Sequence, residues 1–335
     1  MNEKKRNETL DLTRGVAILI VILGHAILSA WQDVPTDNWL YELIINFQMA
    51  LLMFISGITA GYSFPTNEPI VFLKKKTLRL LVPYLCWSEI YLILNTVVCK
   101  EEWNLKLFYE AVYKSNFWFL RFLFVFFFVL FVVNSLYCMA QKHLKKQKRI
   151  LLGILLTGSI WLVYILGKIP YVNESVSVWF YLWFLFGWFI FNKMEWLKDN
   201  KVLFKAAGVV IIDAMVILII AIVAGGDIPK QVQGIIMVFA VCYLCYFTKK
   251  IMPVKLKKWI IEIGKNTLPI YAVHWCILFG PIYNAGIYMK LISWSGISYP
   301  LAVILIFIFL LVGTLIITMF MKKTKITRIL LLGEK

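Results

Sequence analysis

Residues 11–31 read DLTRGVAILIVILGHAILSAW, an apolar run of the length a hydrocarbon core demands, about 20 residues. Its ionisable residues are Asp11, Arg14 and His25. Groups of that kind inside an apolar span are expensive and usually face the interior of a bundle. At 100° per residue the three fall at about 0°, 300° and 320°, on one narrow face. Arg14 and His25 stand roughly 16 Å apart along the axis, so Arg14 reads near the membrane surface and His25 well inside, and one extended ligand could touch both. The alternative is that Arg14 snorkels to the headgroups with Asp11 as its helical neighbour, while His25 is an interhelical hydrogen bonder. The shared face, with Gly15 and Gly24 allowing close approach, points to function for Arg14 and His25. For Asp11 the two readings are balanced.

The rest of the chain repeats the apolar pattern. Its 335 residues are 61% hydrophobic and 16% charged, and the mean hydropathy is +0.80, which excludes an ordinary soluble domain. Further apolar runs lie at 39–62, 78–98, 117–139, 150–168, 177–192, 204–224, 231–248, 267–288 and 298–321. The expected fold is therefore all-α, a polytopic transmembrane bundle of about ten helices, with residues 1–335 forming a single transmembrane domain. The net charge of +17 falls in clusters at every second connection: Lys4 to Arg6, Lys74 to Arg79, Lys142 to Arg149, Lys193 to Lys205, Lys249 to Lys258 and Lys322 to Arg328. The intervening loops, with Asp33, Asp37, Glu101, Glu102, Glu110, Glu174 and Asp227, are mixed or acidic. This is a positive-inside pattern and not a nucleic-acid face, and it predicts that both termini are cytoplasmic. Trp31, Trp39, Trp103, Trp118, Trp179 and Trp294 fall near outer span ends and Trp196 and Trp259 near inner ones, as interfacial anchors do. The first run lacks a convincing cleavage site and reads as a retained helix. Almost all of the six cysteines lie in apolar runs, and Cys242 with Cys245 reads as packing, because no second ligand pair accompanies it. No metal site is expected.

Other residues carry chemistry at lower weight. In FLKKKTLRLLVPY, Lys76 and Arg79 are three apart and share a face at the cytoplasmic mouth, where phosphates would bind. Lys74 and Lys75 read as topology determinants. Glu89 reads as part of a polar lining with Ser88 and Asn95, and Asp213, among aliphatic neighbours, as structural. His274 follows Tyr271 by one turn in NTLPIYAVHW and is evenly divided between site and structure. Arg121, in FWFLRFLF, reads as snorkelling outward, though an acceptor could use it. His143 reads as a solvated loop residue.

With these residues in hand, the chain resembles the membrane-bound acyltransferase family 3, bacterial proteins that acylate surface polysaccharides and related acceptors. The match rests on LDLTRGVAILIVILGH with Arg14 and His25, on MFISG at Met53 to Gly57, and on the basic segment before the third helix. FWFLRFLF at Phe117 to Phe124 and IGKNTLPIYAVH ending at His274 extend it. Two departures stand out. Members similar to fucose acetylases carry a His where this chain has Gln48, and an Arg-x-x-Arg pair is here Lys76 and Arg79, which loses one bidentate fork.

The resemblance implies a multi-pass protein of the bacterial cytoplasmic membrane. It implies acetyl-CoA or another short acyl-CoA as donor substrate, a glycan or other hydroxyl acceptor, and no bound cofactor. Lys76, Arg79 and Arg14 would hold the nucleotide phosphates, and the pantetheine arm would run along the first helix to His25. His25 would take the proton of the acceptor hydroxyl as general base, or would itself carry the acyl group. The rival class is a transporter of a lipid-linked sugar or small polar solute, which broken helices would favour. Pro83 and Pro269 near helix starts, and not at a midplane break, count against it. A purely structural or sensory protein leaves Arg14 and His25 unexplained.

Overall fold

A computed structural model describes residues 7–30, 38–99, 117–140, 148–169, 177–199, 201–226 and 228–334. The acidic loop residues Asp33, Asp37, Glu101, Glu102, Glu110, Glu174 and Asp227, the anchors Trp31 and Trp103, the basic residues Lys4 to Arg6, and His143 lie outside the described residues. Among the described residues every regular element is helical. Six helices are long and apolar enough to cross a membrane: Glu8–Ala30 (α1), Trp39–Ala60 (α2), the run Pro69–Val98, Trp118–Ala140 (α5), Lys230–Thr248 (α9) and Tyr299–Met321 (α14). A seventh is a bent pair, Thr267–Asn284 with Ile287–Ser295. The expected spans at 150–168, 177–192 and 204–224 appear as shorter apolar helices, Ile150–Leu166, Val178–Phe191 and Ala207–Val223, within Lys148–Leu166 (α6), Val178–Asp199 (α7) and Lys201–Val223 (α8).

Side chains such as Trp161, Val210, Ile217, Ile220, Ile304 and Met319 stand exposed around the rim. A water-soluble protein does not carry so much large apolar surface, whereas hydrocarbon covers it without cost. The chain is a multi-pass membrane protein.

The helix α1 occupies the centre. Asn7 starts it, its Oδ1 accepting from the N–H groups of Thr9 at 3.1 Å and Leu10 at 3.3 Å, which satisfies two of the orphan donors of the first turn. It packs against α2, α9, α14 and the amphipathic helix Val254–Lys265 (α10). In hydrocarbon the packing of backbones replaces the hydrophobic drive, so small residues mark the closest crossings. A Cβ on Gly15 would collide with the Ile260 carbonyl, and one on Gly264 with the carbonyl of Asp11. Where α2 runs along α7, Gly57 and Gly187 likewise leave no room for a side chain against Phe184 and Phe54.

Two spans differ from the 3.6-residue expectation. The third begins at Pro69, not at 78, and runs as Pro69–Lys76 (α3), a π turn over Thr77–Leu81, and Val82–Cys99 (α4). The late span is Thr267–Val273 (α11), a second π turn over His274–Phe279, and Gly280–Asn284 (α12). A bend of 66° then leads into Ile287–Ser295 (α13). Both π turns have one cause. The residue before a proline closes each turn by bonding five residues back, Val82 N–H to the Thr77 carbonyl and Gly280 N–H to the Trp275 carbonyl. Pro83 and Pro281 follow them, lacking an N–H and crowding the carbonyl four residues earlier, so the widened turn absorbs what an α turn could not. The bend itself falls at Gly286, whose φ of +65° is a left-handed conformation that glycine adopts without strain.

Candidate active site

Charged residues collect at the end of the bundle where α1 starts. Lys249 Nζ donates to Thr9 Oγ1 at 2.8 Å, Lys265 Nζ to Glu262 Oε2 at 3.0 Å, and Lys322 to Asn266. The hydrogen bond from Lys265 holds the Glu262 carboxyl below its ordinary range. At the opposite end Lys230 lies 3.9 Å from Glu42, and Asn38 Nδ2 donates to the Tyr299 hydroxyl at 3.0 Å.

At the basic end opens a cavity of about 410 Å³, lined by Arg14 of α1, Ser56 and Thr59 of α2, Lys76 and Arg79 around the first π turn, and Lys265 of α10. Each cation is held differently. Arg14 Nη1 lies 3.3 Å from Asp11 Oδ1, and Nη2 donates to Thr59 Oγ1. Thr59 spends its own hydrogen on the Ile55 carbonyl at 2.7 Å, so its oxygen faces the arginine as an acceptor. The Asp11 side chain is 3% exposed and that of Arg14 19%, so the carboxylate backs the guanidinium while the guanidinium keeps an edge toward the cavity. The Lys76 ammonium sits over the Phe127 ring, 3.8 Å from its centroid, a cation–π contact that fixes an otherwise floppy stem. Arg79 is exposed at the mouth. Gly333, with φ +62°, lies against the Arg79 backbone, and Trp87 Nε1 anchors this final segment by donating to the Leu331 carbonyl at 2.8 Å.

The cavity lining extends away from the mouth. Along α5 its lining runs from Phe127, beside Lys76, to Phe119, beside Tyr271, eight residues or about 12 Å of helix. It ends at Tyr271, whose ring meets that of His274 edge-on at 5.9 Å. His274 is 0% exposed. Its Nδ1 lies 2.8 Å from the Ile270 carbonyl oxygen and its Nε2 2.9 Å from His25 Nδ1. His25 is further clamped by Phe279, stacked at 4.6 Å, and by Trp275, edge-on at 4.7 Å, and the residue is half-buried. The histidine pair thus lies about one helical turn beyond the inner end of the cavity.

The structure therefore brings Arg14, Lys76 and Arg79 together, with Asp11 behind Arg14, and brings His274 to His25. His25 is not among the residues that line this cavity, whereas Tyr271, one turn before His274, is. Glu89 lies elsewhere. It is exposed on α4 and outside the cavity lining, because consecutive residues of a helix point about 100° apart and it is Ser88 that turns inward, spending its hydroxyl on the Tyr84 carbonyl at 2.8 Å. The Asn95 side chain lies outside the described residues. Arg121 is half-buried on α5, between Phe119 and Leu123 in sequence, and is not among the residues that line the cavity. Asp213 is exposed. Gln48 is buried beside Gly24.

Ser56, Thr59, Lys265 and Tyr271 escaped sequence reasoning as site residues. Ser56 lies in MFISG, and Lys265 and Tyr271 lie in IGKNTLPIYAVH, so the signal was present in the motifs without a reason to single out those positions. Among the described residues no cluster of His, Cys, Asp and Glu could hold a metal ion.

Comparison with known proteins agrees with this arrangement at the level of the family. No curated protein and no solved structure matches the chain. The acyltransferase domain family matches residues 7–322 of the 335, a stretch that contains every residue of the cavity except the final segment. With nearly its whole length covered, the chain belongs to acyltransferase family 3, a family of membrane acyltransferases.

Proposed function

We propose that this protein is a bacterial cytoplasmic-membrane O-acyltransferase that moves an acetyl or other short acyl group from cytoplasmic acyl-CoA to a hydroxyl of an exported or cell-surface glycan. The observation that carries the reading is the cavity at the basic end: Arg14 of α1, Lys76 and Arg79 of the third span and Lys265 of α10 line one space, and Tyr271 of the same lining touches a histidine pair of which His274 is buried. Phosphates need that cluster of fixed donors, and acyl transfer to a hydroxyl needs a base where water is scarce.

In this reading the topology has ten crossings, the three shorter apolar helices joining the seven longer ones, and both termini face the cytoplasm. Acyl-CoA is a substrate, and no bound cofactor takes part. The nucleotide phosphates rest on Arg14, Lys76 and Arg79, and the extended acyl arm enters past Ser56 toward Tyr271, whose side chain yields to admit the thioester to His25. The acceptor hydroxyl attacks the acyl carbon as His25 takes its proton. The new C–O bond forms, the C–S bond breaks, and the CoA thiolate recovers a proton from the imidazolium. In the two-step variant, His25 carries the acyl group before the acceptor attacks.

The rival reading, a transporter, draws on the broken spans: the π turn before Pro83, which lies inside the third span and not at its start, the π turn at His274, and the 66° bend at the end of the late span. That bend lies at Gly286, twelve residues beyond His274, and not beside the histidine pair. Purified protein in lipid nanodiscs with [14C]acetyl-CoA separates the two. Release of CoA thiol, with label passing to water or an added glycan, supports the enzyme. Flux of a lipid-linked sugar across vesicles without CoA release supports the transporter.

A further inference from the structure

The remaining question at the histidine pair is which nitrogen holds the proton, and two distances answer it. The oxygen of Ile270 is a carbonyl and can only accept. His274 Nδ1, 2.8 Å from it, must therefore carry a hydrogen. Neither ring pairs with a carboxylate among the described residues, and an uncompensated charge buried at this depth is expensive, so both rings are neutral. A neutral His274 with hydrogen on Nδ1 has a bare Nε2, which can only accept. The hydrogen shared across the 2.9 Å contact then belongs to His25 Nδ1. A neutral His25 with hydrogen on Nδ1 presents a bare lone pair at Nε2.

We propose that His274 is a positioning residue that locks His25 in this tautomer and so makes His25 Nε2 the base. The proposal rests on the acyl-transfer reading for what the base does, and on geometry alone for which nitrogen it is. The second π turn is part of the device. It begins at His274, whose backbone N–H also bonds the Ile270 carbonyl, so one oxygen uses both lone pairs on the same residue and fixes its ring. The same turn carries Trp275 and Phe279, which clamp the plane of His25 on its other sides. When Nε2 takes a proton from the attacking hydroxyl, the Nδ1–H bond to His274 becomes charge-assisted and strengthens, which stabilises the imidazolium without moving a second proton. The proton then returns from Nε2 to the leaving thiolate, and His274 ends as it began.

The test uses the full chain in nanodiscs. It has only three histidines, His25, His143 and His274, so 15N-histidine labelling gives a spectrum assignable with one variant at each. The expected result is a hydrogen-bearing Nδ1 and a bare Nε2 on both His25 and His274. A hydrogen on His25 Nε2 would overturn the proposal. In the kinetic arm, His274→Phe keeps the ring and removes the acceptor. It should lower kcat for acetyl-CoA cleavage about 100-fold and leave the KM for acetyl-CoA unchanged, because the cations of the mouth are remote from it. His274→Gln, whose amide oxygen can accept in place of Nε2, should recover about a tenth or more of the wild-type rate. Full kcat in His274→Phe, or no rescue by Gln in a folded protein that binds acetyl-CoA normally, would defeat the proposal. If the wild-type protein cleaves no acetyl-CoA, the acyl-transfer reading fails, while the nitrogen spectrum still decides the hydrogen-bond chain.

Discussion

The two π turns of this molecule come from the same local device and meet opposite surroundings. Each is closed by the residue before a proline, and each carries a candidate functional residue, Arg79 in Thr77–Leu81 and His274 at the start of His274–Phe279. The first lies at the open end of the cavity, where Arg79 is exposed and Lys76 is propped on an aromatic ring. The second is sealed, with His274 wholly buried and both of its ring nitrogens engaged. The same backbone irregularity therefore serves two chemistries. In contact with water it presents cations to an anion, and in the dry interior it fixes the direction of a hydrogen-bond chain.

If that division is right, damage at the two turns should appear in different kinetic constants. The largest effect is expected from His25→Ala, which should lower acetyl-CoA cleavage about 1000-fold with membrane expression intact. Full activity in His25→Ala would remove the interior site from the mechanism. Next, Arg79→Ala and Lys76→Ala should each raise the KM for acetyl-CoA about tenfold, the value of one charge-assisted hydrogen bond of about 1.5 kcal/mol, while kcat stays near wild type. A fall in kcat at constant KM would show that the mouth and the interior are not separate. Gly264→Ala tests the scaffold that holds the two together, since its Cβ would strike the Asp11 carbonyl and push α10 off α1. A loss of about 2 kcal/mol is expected, read as a lower melting temperature in nanodiscs. The smallest effect is expected from Glu89→Gln. Exposed on α4 and outside the cavity lining, it should leave both constants unchanged, and a tenfold loss of activity would return it to the site.

Much of this was legible in the chain. Arg14 and His25 announce themselves because the bilayer makes an ionisable group in an apolar run conspicuous whatever it packs against. Lys76 and Arg79 stand out because charge clusters at span ends do. Glu89 shows the converse. An ionisable residue in a span draws attention, but only packing decides whether its face turns inward, and here Ser88 takes that place. Thr59, Lys265 and Tyr271 could not be singled out, since each becomes part of the cavity only when helices far apart in sequence are laid side by side.

The sequence by itself determined that the chain is a bundle of membrane helices and that α1 carries a cation and an imidazole on one face. Hydropathy and the 3.6-residue period are local properties, and no partner is needed to read them. Only the tertiary structure decided that the cavity stops at Tyr271, that Asp11 and Thr59 brace Arg14, and that His274 meets His25 across 249 residues of sequence. Those facts depend on which helix crosses which, and at what distance. In lipid that is set by glycine contacts such as Gly15 with Ile260 and Gly264 with Asp11, where two backbones touch and no pattern in either helix alone names the other.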